Sequence, residues 1–280
     1  MTSFLPVGKL NNKLLQEILS EINNVGSTPK IGEDSAMISI RDQEDLLVSS
    51  DPITFDSENI GKYVLDVCAN DIYAAGGVPK WFLLTTLIPP KTRFSDLKKV
   101  LSEVNERAQL LNIDIVGGHT EITEAVNKII LSGTILGTLN KNFINGQVVT
   151  ENQTIILGGL AGIEGSKIIT ENIKLSNSKL KNLSNLASNL SISVSEIAEI
   201  AISTGKIIKM HDPTEGGIST AIHEICEFSN VGCEIDINAI NFVSDFKEVC
   251  ETLNINPLGV ISSGCLLIIC EEKDSLSIVN

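Results

Sequence analysis

Apolar residues recur every three to four positions through IGKYVLDVCANDIYAA, residues 60–75, and the run stops at Gly76-Gly77 with Pro79 close behind. That spacing predicts a helix, and paired glycines followed by proline predict its end. The same period predicts helices over residues 10–23, 95–111, 193–204 and 213–229. Short runs rich in Val, Ile and Leu predict strands over 36–40, 46–50, 80–87, 114–116, 128–136 and 264–270. The Asn/Ser/Lys-rich stretch 172–189 is expected to be helical and solvated. Elements in this order describe an α+β fold rather than a strict βαβ repeat. Polar LNKNFINGQVVTENQ gives way to apolar TIILGG, which divides the chain near residue 150 into domains of residues 1–150 and 151–280.

The first helix contains an anomaly. At three and four residues' distance Asp71 has only Val67, Cys68, Ala74 and Ala75 for neighbours, so its carboxylate points into packing. A lone buried carboxylate costs several kcal/mol unless something compensates it. Three further acids stand at turn signals: Asp34 in GEDSA, Asp51 in SSDPIT just after a strand, and Asp212 in HDPTEGG before a helix. Each has a purely structural reading. Asp34 suits a turn beside Gly32 and Asp51 a strand end before Pro52. Asp212, Pro213 and Glu215 read as an N-cap, a first-turn proline and a capping-box acid. Together, the four carboxylates suit a hard divalent cation, since Mg²⁺ is held by one or two carboxylates plus substrate phosphates. Donors for those phosphates are Lys9 in LPVGKL and the amides of Gly117-Gly118 and of Gly216-Gly217. GGLAGIEGSK lacks the G-K-[ST] order of a Walker A loop and does not fit G-x-G-x-x-G. Gly159, Gly162 and Gly165 are therefore expected to make a strand-to-helix turn.

Composition narrows the class. The 280 residues are 42% hydrophobic, enough for a sizeable core in one large or two ordinary domains. Thirty-five acids against 21 bases, a net charge of −14, argue against a nucleic-acid or anionic-membrane surface. The N-terminus has no apolar core of signal-peptide length, and the longest apolar runs, 81–84 and 266–270, are strand-sized. Six cysteines without a C-x-x-C pair, mostly in apolar runs, read as reduced thiols of a cytoplasmic protein. Of the three histidines, His211 and His223 are expected to pack or face solvent. His119 follows the glycine pair at a strand end, placed to donate to a phosphate oxygen or to orient Glu121. His119 and Glu121 are the candidate catalytic residues.

The motifs GEDSA, SSDPIT, CANDIYAAGGVP, GGHTEIT and HDPTEGGISTAIHEI, in this order, resemble the aminoimidazole ribonucleotide (AIR) synthase superfamily. That superfamily includes AIR synthase, selenophosphate synthetase, thiamine-monophosphate kinase and the hydrogenase-maturation protein HypE. The resemblance covers nearly the whole chain. It implies a two-domain fold whose N-terminal domains pair in a homodimer to form a β-barrel, with a C-terminal α/β sandwich domain. ATP and Mg²⁺ are then implied in the cleft, with Asp34, Asp51, Asp71 and Asp212 as metal ligands. Lys9, Asn70, Gly117, Gly118, Gly216 and Gly217 are implied as nucleotide-binding. The shared chemistry is ATP-dependent phosphoryl transfer that activates a substrate oxygen or other nucleophile.

Within the superfamily, NDIYAAGG and GGHT look most like selenophosphate synthetase, whose Cys- or selenocysteine-Gly-Lys element is reduced here to Gly8-Lys9. His119 stands where thiamine-monophosphate kinase and HypE usually have aspartate. DPTEGGISTAIHEI is similar to the D-P-T-R-G-G-L of HypE, with Glu215 in place of arginine. The expectation is a HypE-like enzyme with a small-molecule or carbamoyl-type acceptor and a maturation partner protein. A non-catalytic ATP-binding scaffold, or a phosphotransferase of the thiamine-monophosphate kinase or selenophosphate synthetase type, is the alternative. HypE ends in a modified cysteine tail, whereas this sequence stops at SLSIVN inside an amphipathic helix expected from Glu272. The second domain is accordingly expected to be truncated, with one sheet edge uncovered.

Overall fold

The computed structural model describes residues 35–38, 45–54, 59–144, 146–173 and 178–279, together with Lys13 and Gln16. Lys9, Asp34 and the rest of the helix predicted over 10–23 lie outside the described residues. In the first half, β1 (Ala36–Ile38), β2 (Leu46–Ile53), β3 (Gly77–Ile88), β4 (Asp114–Ile122) and β5 (Ile130–Leu139) form one sheet in the order β1-β2-β5-β3-β4. All neighbours are antiparallel except β3 and β4, which are parallel and joined through a helix. That helix is α2 (Phe94–Leu111); α1 (Ile60–Ala74) lies between β2 and β3 in sequence.

Alternation along the strands sends Leu47, Ile53, Phe82, Leu84, Leu131 and Ile135 to one face. There they meet Val64, Leu65, Cys68, Ala69 and Ile72 of α1, and beyond them Val100, Val104 and Ala108 of α2. Each large side chain fully removed from water here contributes about 1.5–3 kcal/mol. The opposite face carries Val78, Trp81 and Leu83, all exposed.

Three strands run further than their apolar patterns suggest. β2 continues through Asp51 and Pro52, paired with Gly133 and Ser132 of β5, so Asp51 lies inside the strand and does not end it. Beyond Val48 the described partner lies on one side only, an edge setting that tolerates proline. β3 begins at Gly77 and absorbs Pro79 at an irregularity in its pairing with β5. β4 continues through GGHTEI, so Gly117, Gly118 and His119 sit within a strand, not at its end. Val116 is skipped where Phe82 pairs Ile115 and Leu83 pairs Gly117, a bulge that resets the register. At Gly118, φ is 149° and a Cβ would lie 2.0 Å from the Leu84 carbonyl oxygen, so only glycine allows this approach.

The second half holds a three-stranded antiparallel sheet, β6 (Gln153–Gly159), β7 (Ile207–His211) and β8 (Cys265–Glu271), in the order β6-β8-β7. β8 is central and buried on both faces, which is why its sequence reads as an unbroken apolar run. Cys265, Leu267 and Ile269 meet Ile218, Ala221, Ile222 and Ile225, one face of a helix over Gly217–Ser229. Leu266 and Ile268 meet Val194, Ala198, Ala201 and Ile202 around the helix Ser195–Ser203, together with Ala74 and Phe143 from the first half. Three more helices, Ile163–Asn172, Ser178–Asn189 and Phe246–Thr252, share a cluster with Tyr63 of α1. In chain order these are α3 (Ile163–Asn172), α4 (Ser178–Asn189), α5 (Ser195–Ser203), α6 (Gly217–Ser229) and α7 (Phe246–Thr252). The Gly159–Gly165 segment is the strand-to-helix turn expected, with Gly162 at the N-cap of α3. The Asn/Ser-rich stretch is helical in α4 but buries Leu180, Leu183 and Ala187. After β8 come a short 3₁₀ turn, Glu272–Asp274, and the helix Ser275–Val279.

Candidate functional site

Small and apolar residues let α1 lie closely on the sheet, and this brings Asp71 against β2. The residue is only 8% exposed, and its carboxylate accepts a hydrogen bond from the Ser49 hydroxyl. One turn back, the Cys68 thiol approaches the Asp51 carbonyl oxygen at 3.9 Å. Burial, then the charges of Asp51 and Asp71, push that thiol far above its ordinary range. Asp51 stands two residues from Ser49 on β2, with the same facing along the strand as buried Leu47 and Ile53.

Asp212 is placed elsewhere. It is buried at the end of β7, and its charge helps burial push the Cys265 thiol up to about 12. Among the described residues, no three His, Cys, Asp or Glu side chains group closely enough to hold a metal ion. Asp51, Asp71 and Asp212 are thus not drawn into one three-ligand group, and Asp34 lies outside the described residues. Two carboxylates are nonetheless a sufficient protein contribution for Mg²⁺, which takes its other ligands from water and phosphate. The donor chemistry of Asp51 and Asp71 fits that ion.

The capping box read at Asp212–Glu215 does not form. α6 starts at Gly217 with Gly216 as N-cap and no side-chain cap. Both glycines are left-handed, φ 82° and 62°, and a Cβ on Gly217 would lie 2.3 Å from the Val260 carbonyl oxygen. This backbone breaks the helix before Pro213 can start it. The Gly217 amide donates to the Thr214 carbonyl and so is engaged within the turn.

Asn70, next to Asp71, spans the two halves of the molecule. Its side-chain amide donates to the Ile192 carbonyl at 2.8 Å, and its oxygen accepts from the Val194 amide at 3.0 Å. Both functions are engaged with protein backbone, which makes Asn70 a clamp between the two halves. On β4, His119 and Glu121 lie two residues apart on one side of the strand, with Nε2 and Oε2 3.7 Å apart and both side chains exposed. Gly117 and Gly118 precede them on the same strand.

Several charged groups were not visible in the pattern. His211, expected to pack or face solvent, pairs with Glu224 at 3.1 Å, both buried. The only sequence signal was an acid on the apolar face of α6. Between the domains, the Arg107 guanidinium donates to Asp66 at 2.6 Å and reaches Ser191 at 3.4 Å. Burial still holds Asp66 up at about 6, against the lowering pull of Arg107. Nearby, Lys167 donates to the Leu190 carbonyl at 2.8 Å and lies over the Tyr63 ring, with its pKa lowered by burial. Glu164, 1% exposed in the first turn of α3, is pushed up to about 7, mainly by burial. Ser263 stands beside it and favours the ionised form, without reaching full hydrogen-bond geometry.

Profiles of the N-terminal and C-terminal domains of AIR synthase related proteins match residues 32–139 and 150–280. The chain belongs to the AIR synthase related family. It is 27% identical over 279 residues to a hydrogenase expression/formation protein of Methanocaldococcus jannaschii, covering 96% of this chain and 82% of that one. It is also 27% identical over 239 residues to the carbamoyl dehydratase HypE of Escherichia coli, covering 80% of this chain and 66% of that protein's length. Among solved structures, HypE in its complex with HypF superposes with a TM-score of 0.80 at 19% identity, covering 96% of this chain and 87% of that one. HypE bound to ATP gives a TM-score of 0.73 at 20% identity, with 98% and 82% covered. At these identities the structural matches establish the fold. No described helix is long and apolar enough to cross a membrane.

Proposed function

We propose that this AIR synthase related protein is an ATP- and Mg²⁺-dependent enzyme of the HypE type, acting in hydrogenase maturation on a carbamoyl-type acceptor by activating a substrate oxygen through phosphoryl transfer. The observation that carries this reading is the buried Asp71, which α1 sets against Ser49 of β2, two residues from Asp51, in a chain whose relatives include carbamoyl dehydratases. Asp51 and Asp71 would hold Mg²⁺, which when bound neutralises phosphate charge. Phosphoryl transfer depends mainly on positioning and charge neutralisation, so a strong protein base is not required. His119 donates to a phosphate oxygen in this scheme, and Glu121, 3.7 Å away on the same strand, orients it. The sequence resemblance adds Asp34, Lys9 and Asp212 to the same role in binding.

The functional unit is a homodimer in this reading. Exposed Val78, Trp81 and Leu83 on one sheet face, and Ile115, Val116 and Ile122 on β4, offer an apolar surface for a second copy. An obligate interface of this kind buries well over 1,000 Å². A maturation partner protein is part of the proposal by analogy with the HypE–HypF complex. The place of action is the cytoplasm, away from nucleic acid and membrane, in keeping with the acidic surface and reduced thiols.

Titration calorimetry with ATP, with and without Mg²⁺, tests the site. Binding is expected to collapse without the cation and in Asp51→Asn and Asp71→Asn; unchanged affinity in both folded variants refutes the assignment. Product analysis separates the chemistries: ADP indicates kinase- or dehydratase-type activation, AMP plus phosphate the selenophosphate type, and neither product a scaffold. Light scattering at micromolar concentration is expected to give the dimer mass, and a monomer mass contradicts the assembly.

A further inference from the structure

Four of the six cysteines, Cys68, Cys250, Cys265 and Cys270, are buried. Cys226 is half-buried in the last turns of α6, and Cys233 is exposed just beyond its end. Asn230 takes the left-handed conformation as C-cap, φ 53° and ψ 46°, and its amide donates back to the carbonyls of Cys226 and Glu227. The Val231 amide also donates to the Cys226 carbonyl, at 3.0 Å. This is a Schellman-type reversal, which lays residue 231 against the last turn of the helix. Cys233 follows two residues later, within about 7 Å of Val231 along the chain. The chain therefore has both the turn and the reach to set the two sulfurs side by side, and the Cys233 thiol helps burial to push that of Cys226 up.

We propose that Cys226 and Cys233 are a modification site, a dithiol that closes to an intramolecular disulfide when the protein meets a peroxide. The exposed Cys233 thiol releases its proton, and the thiolate attacks one peroxide oxygen and breaks the O–O bond, giving a sulfenic acid and hydroxide, which takes up that proton to become water. The Cys226 thiol then gives up its proton and attacks the Cys233 sulfur. The S–S bond forms as hydroxide leaves, and hydroxide takes the proton to become a second water. Two thiols are oxidised by two electrons and one hydrogen peroxide is reduced to two waters. Exposure makes Cys233 the first to react, and the half-buried Cys226, pushed up mainly by burial to about 11, is the resolving partner. The bridge ties α6 to the segment that leads to Asn241 and Val243. Those two residues exchange backbone hydrogen bonds with Ala161 at 2.9 and 3.0 Å, immediately before Gly162 and α3.

The test treats the full, reduced chain with hydrogen peroxide, alkylates it under denaturing conditions and measures intact mass and peptides. The expected result is loss of two of the six alkylatable thiols, a linked peptide pair containing Cys226 and Cys233, and full recovery with dithiothreitol. In Cys226→Ser, a dimedone-reactive sulfenic acid is expected to accumulate at Cys233. The proposal is overturned if wild-type protein keeps all six thiols. It is equally overturned if Cys233 ends as sulfinic acid or as a Cys233–Cys233 link between chains while Cys226 remains alkylatable.

Discussion

Replacing Glu164 by Gln isolates the energetic effect of one buried acid on the whole chain. In the folded protein burial holds this carboxyl at about 7, against an ordinary value of 4.5. A group raised in this way contributes stability that is fully present below pH 4.5 and lost as pH rises through about 7, because the unfolded chain releases its proton first. The full contribution is about 3 kcal/mol, of which about 2 kcal/mol is lost between pH 5.5 and 8.5. Asp66, raised from 3.8 to about 6, has the same sign and contributes about 1 kcal/mol over that interval. From these two groups wild-type protein should lose about 3 kcal/mol between pH 5.5 and 8.5, and Glu164→Gln only about 1 kcal/mol. The comparison rests on slopes, because an amide buried at this position carries its own desolvation cost at every pH. Urea unfolding followed by circular dichroism at pH 5.5, 7.0 and 8.5 provides the measurement. If the variant keeps the full wild-type dependence on pH, Glu164 is ionised in the folded state and the reasoning fails.

Asn70→Ala removes both hydrogen bonds between α1 and the segment 192–194, leaving a buried carbonyl and a buried amide without their partner. The expected cost is about 2–4 kcal/mol in urea unfolding, and a loss below about 0.5 kcal/mol would remove its role as a clamp. Gly217→Ala forces a left-handed backbone on a residue whose Cβ meets the Val260 carbonyl oxygen, and thermal unfolding should show a loss of about 1–3 kcal/mol. Gly259→Ala, where an added Cβ meets nothing within 4 Å, serves as the neutral control.

Where local pattern and tertiary packing agree, the sequence was legible. α1, α2, α5 and β8 follow their apolar periods to within a residue or two, because each is held by the face that its period displays. The local pattern shows only three residues of β4, since the Gly117-Gly118 pair disfavours a strand; β3 supplies the ladder that keeps it extended. β7 was missed because a short strand with Lys209 in its middle shows no alternation, and its neighbour β8 imposes the pairing. The start of α6 was misplaced because two positive-φ glycines outweigh a good capping sequence. At the site, the burial of Asp71 was visible as an acid among apolar helical neighbours. Its partner Ser49 was not, because contact across 22 residues leaves no local trace. The Asp66–Arg107 pair, 41 residues apart, was hidden for the same reason.

The order of strands has a consequence during synthesis. The first sheet has all five described strands once residue 139 has been made, but the central strand of the second sheet ends at Glu271. Between those points the ribosome must add over a hundred residues, roughly ten seconds of elongation or more at ordinary rates. Throughout that interval Tyr63, Asn70 and Ala74, which later meet the second domain, face solvent on an otherwise finished first domain. Nascent chains should therefore show a transient patch on α1 that disappears only after β8 slots between β6 and β7.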